Sequence, residues 1–198
     1  MTNIVNINRP SWDEFFMLHA FLTSLRSSCK YLRNGAIIAK DKRILAIGYN
    51  GAPPGIKNCL DCGCRKEQYK IEFDKKDRGV CRGTHAEMNA LNQVSRWDLN
   101  KDSNTSIYSV YEPCSQCVKA ILAAGIRRVI YAKPYFDNEN RDLINELYLE
   151  AGMNRYSPNS NGIWIPNEIP QTEGVFRINP ASIKRYLKTI GENLENIL

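Results

Sequence analysis

Two short motifs hold residue types that bind and use metal ions: Thr84-His85-Ala86-Glu87 and Pro113-Cys114-Ser115-Gln116-Cys117. A catalytic zinc ion takes three protein ligands and leaves a fourth position open for water, and His85, Cys114 and Cys117 would supply those three. Glu87 lies two residues from a ligand, so its carboxylate can reach the protons of that water. The two motifs together predict a hydrolytic zinc site.

Each motif taken alone also fits a structural role. Thr84 followed three residues later by Glu87 is the pattern of a capping box at the start of a helix. Cys114 and Cys117 in Cys-x-x-Cys spacing also fit a redox pair or half of a structural zinc site. The combination favours catalysis, because two cysteines at the start of a helix lie on one face and are stabilised there as thiolates.

Five further cysteines remain once that pair is assigned, and they are Cys29, Cys59, Cys62, Cys64 and Cys81. A closed structural zinc site takes four ligands, so five candidates are enough for a second zinc ion. Inert buried thiols are the alternative interpretation. Disulfides are not expected, because residues 1–6 lack the features of a secretory signal and the default compartment is a reducing cytoplasm.

The surrounding pattern predicts the elements that position these motifs. Ser11 is a possible N-cap, and after it helical spacing places Trp12, Phe15, Phe16, His19, Leu22 and Leu25 along one side of a helix. Two short apolar runs then form a hairpin. After a long polar loop, helices and strands alternate, which favours parallel pairing in an α/β layered domain. The predicted helices are 12–28, 84–97, 114–124, 138–151 and one after Pro180; the predicted strands are 35–39, 44–48, 105–111, 126–132 and 175–178.

Bulk composition restricts the class of protein. The chain has 198 residues, of which 43% are hydrophobic and 24% charged, as expected of one globular domain. No run of about 18 apolar residues is present, so we expect no membrane span. The net charge of +6 is partly carried by the mixed-charge segment 65–82, which fits either a solvated loop or a phosphate-bearing partner.

Several segments together resemble one enzyme family. The His-x-Glu and Pro-Cys-x-x-Cys motifs are similar to those of zinc-dependent nucleobase deaminases. The loop Gly48-Tyr49-Asn50-Gly51-Ala52-Pro53-Pro54-Gly55 narrows the resemblance to the deoxycytidylate (dCMP) deaminases, and the opening Ser11-Trp12-Asp13-Glu14-Phe15-Phe16-Met17 is similar to their first helix. It spans about residues 11–153. It implies a three-layer α/β/α fold with a mixed sheet of about five strands, a deaminase domain over residues 1–155, and a C-terminal extension over 156–198 with an extra helix.

The resemblance also implies an activity and a set of site residues. The reaction would convert dCMP and water to dUMP and ammonia, with Glu87 as base and then acid. Asn50 would bind the nucleoside, Tyr135 would lie against substrate, and Arg26 is a weaker candidate for a phosphate contact. An effector loop containing Gly51, Pro54 and Gly55 would respond to dCTP with Mg²⁺ (activation) and dTTP (inhibition). The chain would form a homo-oligomer, most often a hexamer.

Bacterial and phage members of this family can carry a second zinc ion, and the resemblance matches Cys29 and Cys59 to its ligands. Cys64 and Cys81 complete the preferred set of four, with Cys62 as a possible substitute for Cys64. One departure is Asn34, at a position where the family usually has valine. Residues 156–198 have no recognised counterpart, and we expect them to serve packing or assembly. Two other functions stay open: deamination of another cytosine nucleotide, nucleoside or tRNA base, and a nucleic-acid-binding zinc module.

Overall fold

The computed structural model describes residues 9–72, 79–94, 99, 104–135, 140–156 and 173–197. Seven helices and six strands lie within them. The helices are α1 (Trp12–Ser24), α2 (Cys59–Cys62), α3 (Arg65–Gln68), α4 (Ala86–Leu91), α5 (Ser115–Ala123), α6 (Arg141–Glu150) and α7 (Pro180–Ile197). The strands are β1 (Gly35–Lys40), β2 (Arg43–Tyr49), β3 (Thr105–Tyr111), β4 (Arg128–Lys133), β5 (Arg155–Tyr156) and β6 (Gly174–Arg177).

The strands form one mixed sheet in the order β2-β1-β3-β4-β6-β5. Strand β1 pairs antiparallel with both β2 and β3, whereas β3, β4, β6 and β5 pair in parallel. The expected mixed sheet is confirmed. It contains one strand more than the five predicted, and that additional strand is the two-residue β5. The observed α4 ends at Leu91, earlier than the predicted end at 97; residues 95–97 of that prediction, and 138–139 of the predicted helix 138–151, lie outside the described residues.

Side chains alternate between the two faces of the sheet, and each face is covered by helices. Ile38, Ile107 and Val129 belong to an apolar cluster shared with α4, α5 and α6. Ile37 and Ile130, next to them in sequence, belong to a second cluster shared with α1 and α7. Because strand side chains point to opposite faces in turn, one sheet supports both layers. The three-layer α/β/α fold predicted from the sequence is therefore confirmed.

Two glycines allow helices to lie directly on strand backbone. A Cβ atom at Gly35 would overlap the backbone of Ala20 and Ser24 in α1, and one at Gly48 would overlap the backbone of Ala86 and Ala90 in α4. Any larger residue at Gly48 would push α4 away from the sheet. Since Glu87 is the second residue of α4, this close approach sets the depth of its side chain.

Helix α1 buries a different face from the one that its apolar residues predict. Trp12 and Leu25 are 41% and 68% exposed, whereas Met17 is fully buried. The reason is a buried ion pair: Asp13 accepts two hydrogen bonds from Arg128 of β4, at 2.9 and 3.0 Å. A buried carboxylate is stable only when it is paired, so the face that carries Asp13 must point inward. Ser11 caps the helix as expected, through a capping box with Glu14.

The C-terminal part of the described chain joins the same sheet. Strand β6 pairs with β4 along Arg128–Tyr131 and Gly174–Arg177. Helix α7 packs on α1, where the Tyr186 hydroxyl donates to Glu14 Oε2 at 3.4 Å. Residues 157–172 of the C-terminal extension lie outside the described residues. Within the described part of the chain, no helix is long and apolar enough to cross a membrane.

Candidate active site

The two motifs meet at the ends of two helices on the same side of the sheet. His85 is the N-cap residue of α4, Cys114 is the N-cap residue of α5, and Cys117 is the third residue of α5. His85 Nδ1 lies 3.4 Å from the sulfur of Cys114 and 3.4 Å from that of Cys117. Among the described residues, these three form the only group of three or more His, Cys, Asp or Glu whose ligand atoms lie within 4.8 Å of one another.

The geometry of this group fits a tetrahedral zinc ion. Zinc–sulfur and zinc–nitrogen bond lengths with tetrahedral angles place sulfur and nitrogen ligands about 3.5 Å apart. The observed nitrogen–sulfur separations are both 3.4 Å. One imidazole nitrogen and two sulfurs also form the donor set that zinc prefers, with one tetrahedral position left for water. The donor set and both nitrogen–sulfur separations therefore fit a zinc ion.

The two cysteines are electrostatically prepared for a cation. The thiolate of Cys114 accepts a hydrogen bond from Cys117, which lowers the pKa of Cys114 to about 4. The same hydrogen bond, together with burial, raises the pKa of Cys117. The start of the nine-residue helix α5 adds a positive field that favours thiolates. A divalent cation would supply the further charge needed to ionise both sulfurs.

Glu87 lies beside this group and is not a capping residue. The N-cap of α4 is His85, which makes no side-chain capping bond, so the capping-box interpretation of Thr84 and Glu87 is wrong. The Glu87 carboxylate is 2% exposed, and its Oε2 lies 3.7 Å from Cys117 Sγ. Burial raises the pKa of Glu87, and the charge of His85 opposes that shift. A buried carboxyl group with a raised pKa is suited to accepting and returning protons.

A cleft opens above the group. Its described lining includes Asn34, Asn50, Glu112 and Tyr135, together with His85, Glu87 and Cys114. It adjoins a larger cleft of about 650 Å³, which shares Leu32, Asn50, His85 and Tyr135 with it. A ligand in the larger cleft can thus extend one end toward Glu87.

The structure brings two of the three expected substrate residues to these clefts. Asn50 and Tyr135 line both, whereas Arg26 is exposed and lines neither. Asn50 also has a structural role, because its Oδ1 accepts from the Ala86 N–H at 2.8 Å and its Nδ2 donates to the Leu32 carbonyl at 2.8 Å. Asn50 therefore joins the end of β2 to the first residue of α4.

Four other cysteines line the larger cleft, and they are Cys29, Cys59, Cys64 and Cys81. Burial and the neighbouring sulfurs of Cys81, Cys64 and Cys29 raise the pKa of Cys59 to about 11. The sulfur of Cys62 instead donates to the Asn58 carbonyl at 3.2 Å, and Cys62 is not part of the cleft lining. The four thiols thus share one cleft, but their sulfurs are not gathered as closely as the ligand atoms of His85, Cys114 and Cys117.

The expected effector loop starts at this cleft. Gly51 lines it and exchanges two backbone hydrogen bonds with Thr84, at 3.2 and 2.8 Å. Pro54 and Gly55 are exposed, and Gly55 has a φ of +81°, which favours glycine. Asn58, which the sequence analysis did not single out, holds the loop, since its Oδ1 accepts from Ser28 Oγ at 2.6 Å and from the Ala52 N–H at 3.1 Å.

Sequence reasoning also missed a second polar pair near the clefts. Arg141 donates to Glu112 Oε1 at 2.7 Å and to the Tyr135 carbonyl at 2.9 Å. Glu112 is buried, and it directly precedes Pro113-Cys114 in the sequence. The ion pair therefore joins the start of α6 to Tyr135 and to the Cys114 end of the group that fits zinc. Glu112 could have been noticed in the sequence, because it directly precedes Pro113-Cys114. Its partner Arg141 could not, because it lies 29 residues further along the chain.

Comparison with known proteins gives consistent matches. Residues 10–133 match the family model described as the cytidine and deoxycytidylate deaminase zinc-binding region. ComE operon protein 2 of Bacillus subtilis is 39% identical over 147 residues, covering 74% of this chain and 71% of that protein. The deoxycytidylate deaminase of Mycobacterium phage D29 is 38% identical over 129 residues, covering 64% of this chain and 98% of that protein.

A solved structure agrees with these matches. The dCMP deaminase of cyanophage S-TIM5, in complex with dCMP and dUMP, superposes with a TM-score of 0.51 at 30% identity, covering 70% of this chain and 93% of that one. The matched region contains His85, Glu87, Cys114 and Cys117. The chain belongs to the cytidine and deoxycytidylate deaminase family.

Proposed function

We propose that this protein is a zinc-dependent deaminase that converts dCMP and water to dUMP and ammonia. The observation that carries this conclusion is the position of Glu87, whose buried carboxylate lies 3.7 Å from the sulfur of Cys117 beside a group that fits zinc. The phage relative named deoxycytidylate deaminase and the cyanophage enzyme solved with dCMP and dUMP favour the deoxycytidylate substrate.

His85, Cys114 and Cys117 would hold the zinc ion, which when bound makes a water molecule acidic enough to attack at neutral pH. Glu87 accepts the first proton of that water and delivers it to N3 of the pyrimidine as the oxygen bonds to C4. Glu87 then carries the second proton from the new hydroxyl to the amino group, and the C4–N bond breaks to release ammonia. Both protons of the water are then accounted for, and Glu87 is unchanged.

The residues that hold substrate follow from the same clefts. We propose that Asn50 contacts the nucleoside and that Tyr135 covers it, because both line the junction of the two clefts. Arg26 is the phosphate contact that the family resemblance suggests, and it would have to reach the cleft from the exposed end of α1. Arg26→Ala tests this: a KM for dCMP within about twofold of wild type would rule the contact out.

An absorbance assay with dCMP, deoxycytidine, CMP and dCTP as separate substrates tests the function. The expected result is the highest kcat/KM for dCMP. A higher kcat/KM for another of these compounds would show that the protein is a cytosine deaminase with a different substrate. No turnover of any of them, together with turnover of an adenosine in tRNA or salt-sensitive RNA binding, would replace the proposed activity with one of the two alternatives.

We also propose that Cys29, Cys59, Cys64 and Cys81 hold a second, structural zinc ion. Two observations support this set. The four cysteines line one cleft, whereas Cys62 does not line it and its sulfur donates to the Asn58 carbonyl. The Leu32 N–H already donates to Cys29 Sγ at 3.4 Å, the kind of contact that stabilises a metal-bound thiolate. Metal analysis of purified protein should give about two zinc ions per chain; one would refute the second site.

Regulation is a further part of the proposed function. We propose that dCTP with Mg²⁺ activates the enzyme and that dTTP inhibits it, through the loop that contains Gly51, Pro54 and Gly55. The loop supports this role because it starts at the larger cleft and is tied to Asn58. Turnover measured at low dCMP with each nucleotide added tests it: rates unaffected by both would exclude regulation by this loop.

We propose that the protein works as a cytoplasmic homo-oligomer, with the hexamer as the expected form. All seven cysteines are free thiols, which suits a reducing compartment. The exposed apolar side of α1, with Trp12, Phe15, Leu22 and Leu25, supports association. Light scattering that finds an active monomer would contradict it.

We further propose that residues 156–198 complete the deaminase domain, supported by the pairing of β6 with β4. Proteolysis that leaves residues 1–155 as a stable fragment would contradict that role.

A further inference from the structure

One oxygen of the Glu87 carboxylate is held by two side chains from outside both motifs. Glu87 Oε1 accepts from Asn34 Nδ2 at 3.2 Å and from Ser109 Oγ at 3.1 Å. Asn34 comes directly before β1, and Ser109 lies within β3. All three residues are buried, at 4% exposure for Asn34, 2% for Glu87 and 0% for Ser109. Such a network is rigid, because an unpaired polar group at this depth would be costly.

The orientation of the Asn34 amide is fixed by the backbone. Its Oδ1 accepts from the Tyr111 N–H at 3.2 Å, and a backbone N–H can only donate. The amide nitrogen must therefore point the other way, toward Glu87. Its two protons are directed to Glu87 Oε1 and to Ser109 Oγ, which lies 3.1 Å from it.

The direction of the Ser109 hydroxyl follows from that arrangement. Ser109 Oγ accepts a hydrogen bond from Asn34 Nδ2, so its own single proton is available to donate to Glu87 Oε1 at 3.1 Å. The alternative acceptor, Asn34 Oδ1, is further away at 3.3 Å and already accepts from Tyr111. The three side chains thus form a closed triangle of hydrogen bonds with two donors directed at one carboxylate oxygen.

The other oxygen has a different environment. Glu87 Oε2 faces Cys117, at 3.7 Å from its sulfur, and therefore points toward the group that fits zinc. We propose that Asn34 and Ser109 are positioning residues that fix Glu87 through Oε1, so that Oε2 alone carries the protons of the reaction. This inference rests on the proposed deaminase function. Neither positioning residue exchanges a proton with substrate.

Ser109 gives the sharper test, because it is absent from the described lining of either cleft. Ser109→Ala removes one donor to Oε1 without touching bound substrate. We expect kcat for dCMP to fall about tenfold with KM changed less than about twofold, since a misplaced proton-transfer group slows only the chemical step. Zinc content should stay at the wild-type value.

Ser106→Ala is the matched control. Ser106 is a buried serine on the same strand, and its Oγ accepts from Arg128 at 3.1 Å. It lies three residues before Ser109, so its side chain points to the opposite face of the sheet. We expect Ser106→Ala to keep wild-type kcat even if it lowers stability. Equal kcat values for Ser109→Ala and Ser106→Ala would overturn the inference.

A double-mutant cycle separates positioning through Glu87 from a general structural effect. In the Glu87→Gln background, Ser109→Ala should leave the residual kcat unchanged, because the group it positions no longer transfers protons. A tenfold loss in that background as well would show that Ser109 acts by another route and would overturn the inference.

Crystal structures of zinc-loaded Ser109→Ala and Asn34→Val give a readout that does not depend on turnover. We expect the Glu87 carboxylate to rotate or to occupy two conformations while His85, Cys114 and Cys117 stay in place. A single, unshifted carboxylate in both variants would overturn the inference whatever the substrate is. A wild-type enzyme inactive on every cytosine compound, but with a displaced carboxylate in the variants, would instead disprove only the proposed function.

Discussion

The two cysteine-containing regions of this molecule differ in what holds their cysteines in place. His85, Cys114 and Cys117 are fixed by the first residues of α4 and α5, both packed on the sheet, and their ligand atoms are gathered within 4.8 Å. The four cysteines of the second region come mostly from the polar segment 50–83 and share a cleft without such close grouping. Regular elements therefore form the first site in advance, whereas the sulfurs of the loop region would come together only on binding the proposed second zinc ion.

The largest expected effect lies in the preformed region. Glu87→Gln removes the proton carrier without removing a ligand, so kcat should fall at least about 100-fold while zinc content is unchanged. Steady-state assays with metal analysis on the same samples check this. Near-normal turnover in the variant would show that Glu87 has no role in proton transfer.

A smaller effect on activity, but a clear effect on stability, is expected in the loop region. Cys59→Ser should reduce zinc from about two ions per chain to about one and lower the free energy of unfolding by about 2 kcal/mol or more, a shift in Tm of about 4–8 °C. Thermal melts with metal analysis provide the measurement. If zinc content stays at its wild-type value, Cys59 is not a ligand.

Asn58 tests how far the loop is held without metal. Asn58→Ala removes the acceptor for Ser28 Oγ and for the Ala52 N–H, so we expect a loss of about 1–2 kcal/mol in the free energy of unfolding. Both zinc ions should remain. Chemical denaturation gives the value, and an unchanged midpoint would mean that the metal alone orders this loop.

Cys62→Ser should have the smallest effect and is the matched control for Cys59→Ser. Both variants change one thiol to a hydroxyl within the four-residue helix α2. A serine at 62 can still donate to the Asn58 carbonyl, so the expected change in unfolding free energy is within about 0.5 kcal/mol, with both zinc ions retained. Loss of one zinc ion would instead place Cys62 in the second site.

The same contrast explains what could be predicted from sequence. The grouping of His85, Cys114 and Cys117 was predictable, because each of their motifs is short and starts a helix. Strand β3 was also predicted with its observed bounds, 105–111. The buried face of α1 could not be predicted from the sequence, because it depends on the ion pair between Asp13 and Arg128, which lies 115 residues away. Asn34 and Ser109 reach Glu87 only through the register of β1 against β3, which pairs Ala36 with Ser109. No local pattern contains that register.

The pairing of Gly51 with Thr84 has a consequence for how the chain can vary in length. Two backbone hydrogen bonds join these residues, so the two ends of the segment between them are fixed next to each other. The entropy of closing such a segment rises slowly, by about 0.6 kcal/mol for each doubling of its length. Insertions or deletions between residues 52 and 83 can therefore change what surrounds the entrance to the clefts without altering the spacing of Asn50, His85 and Glu87.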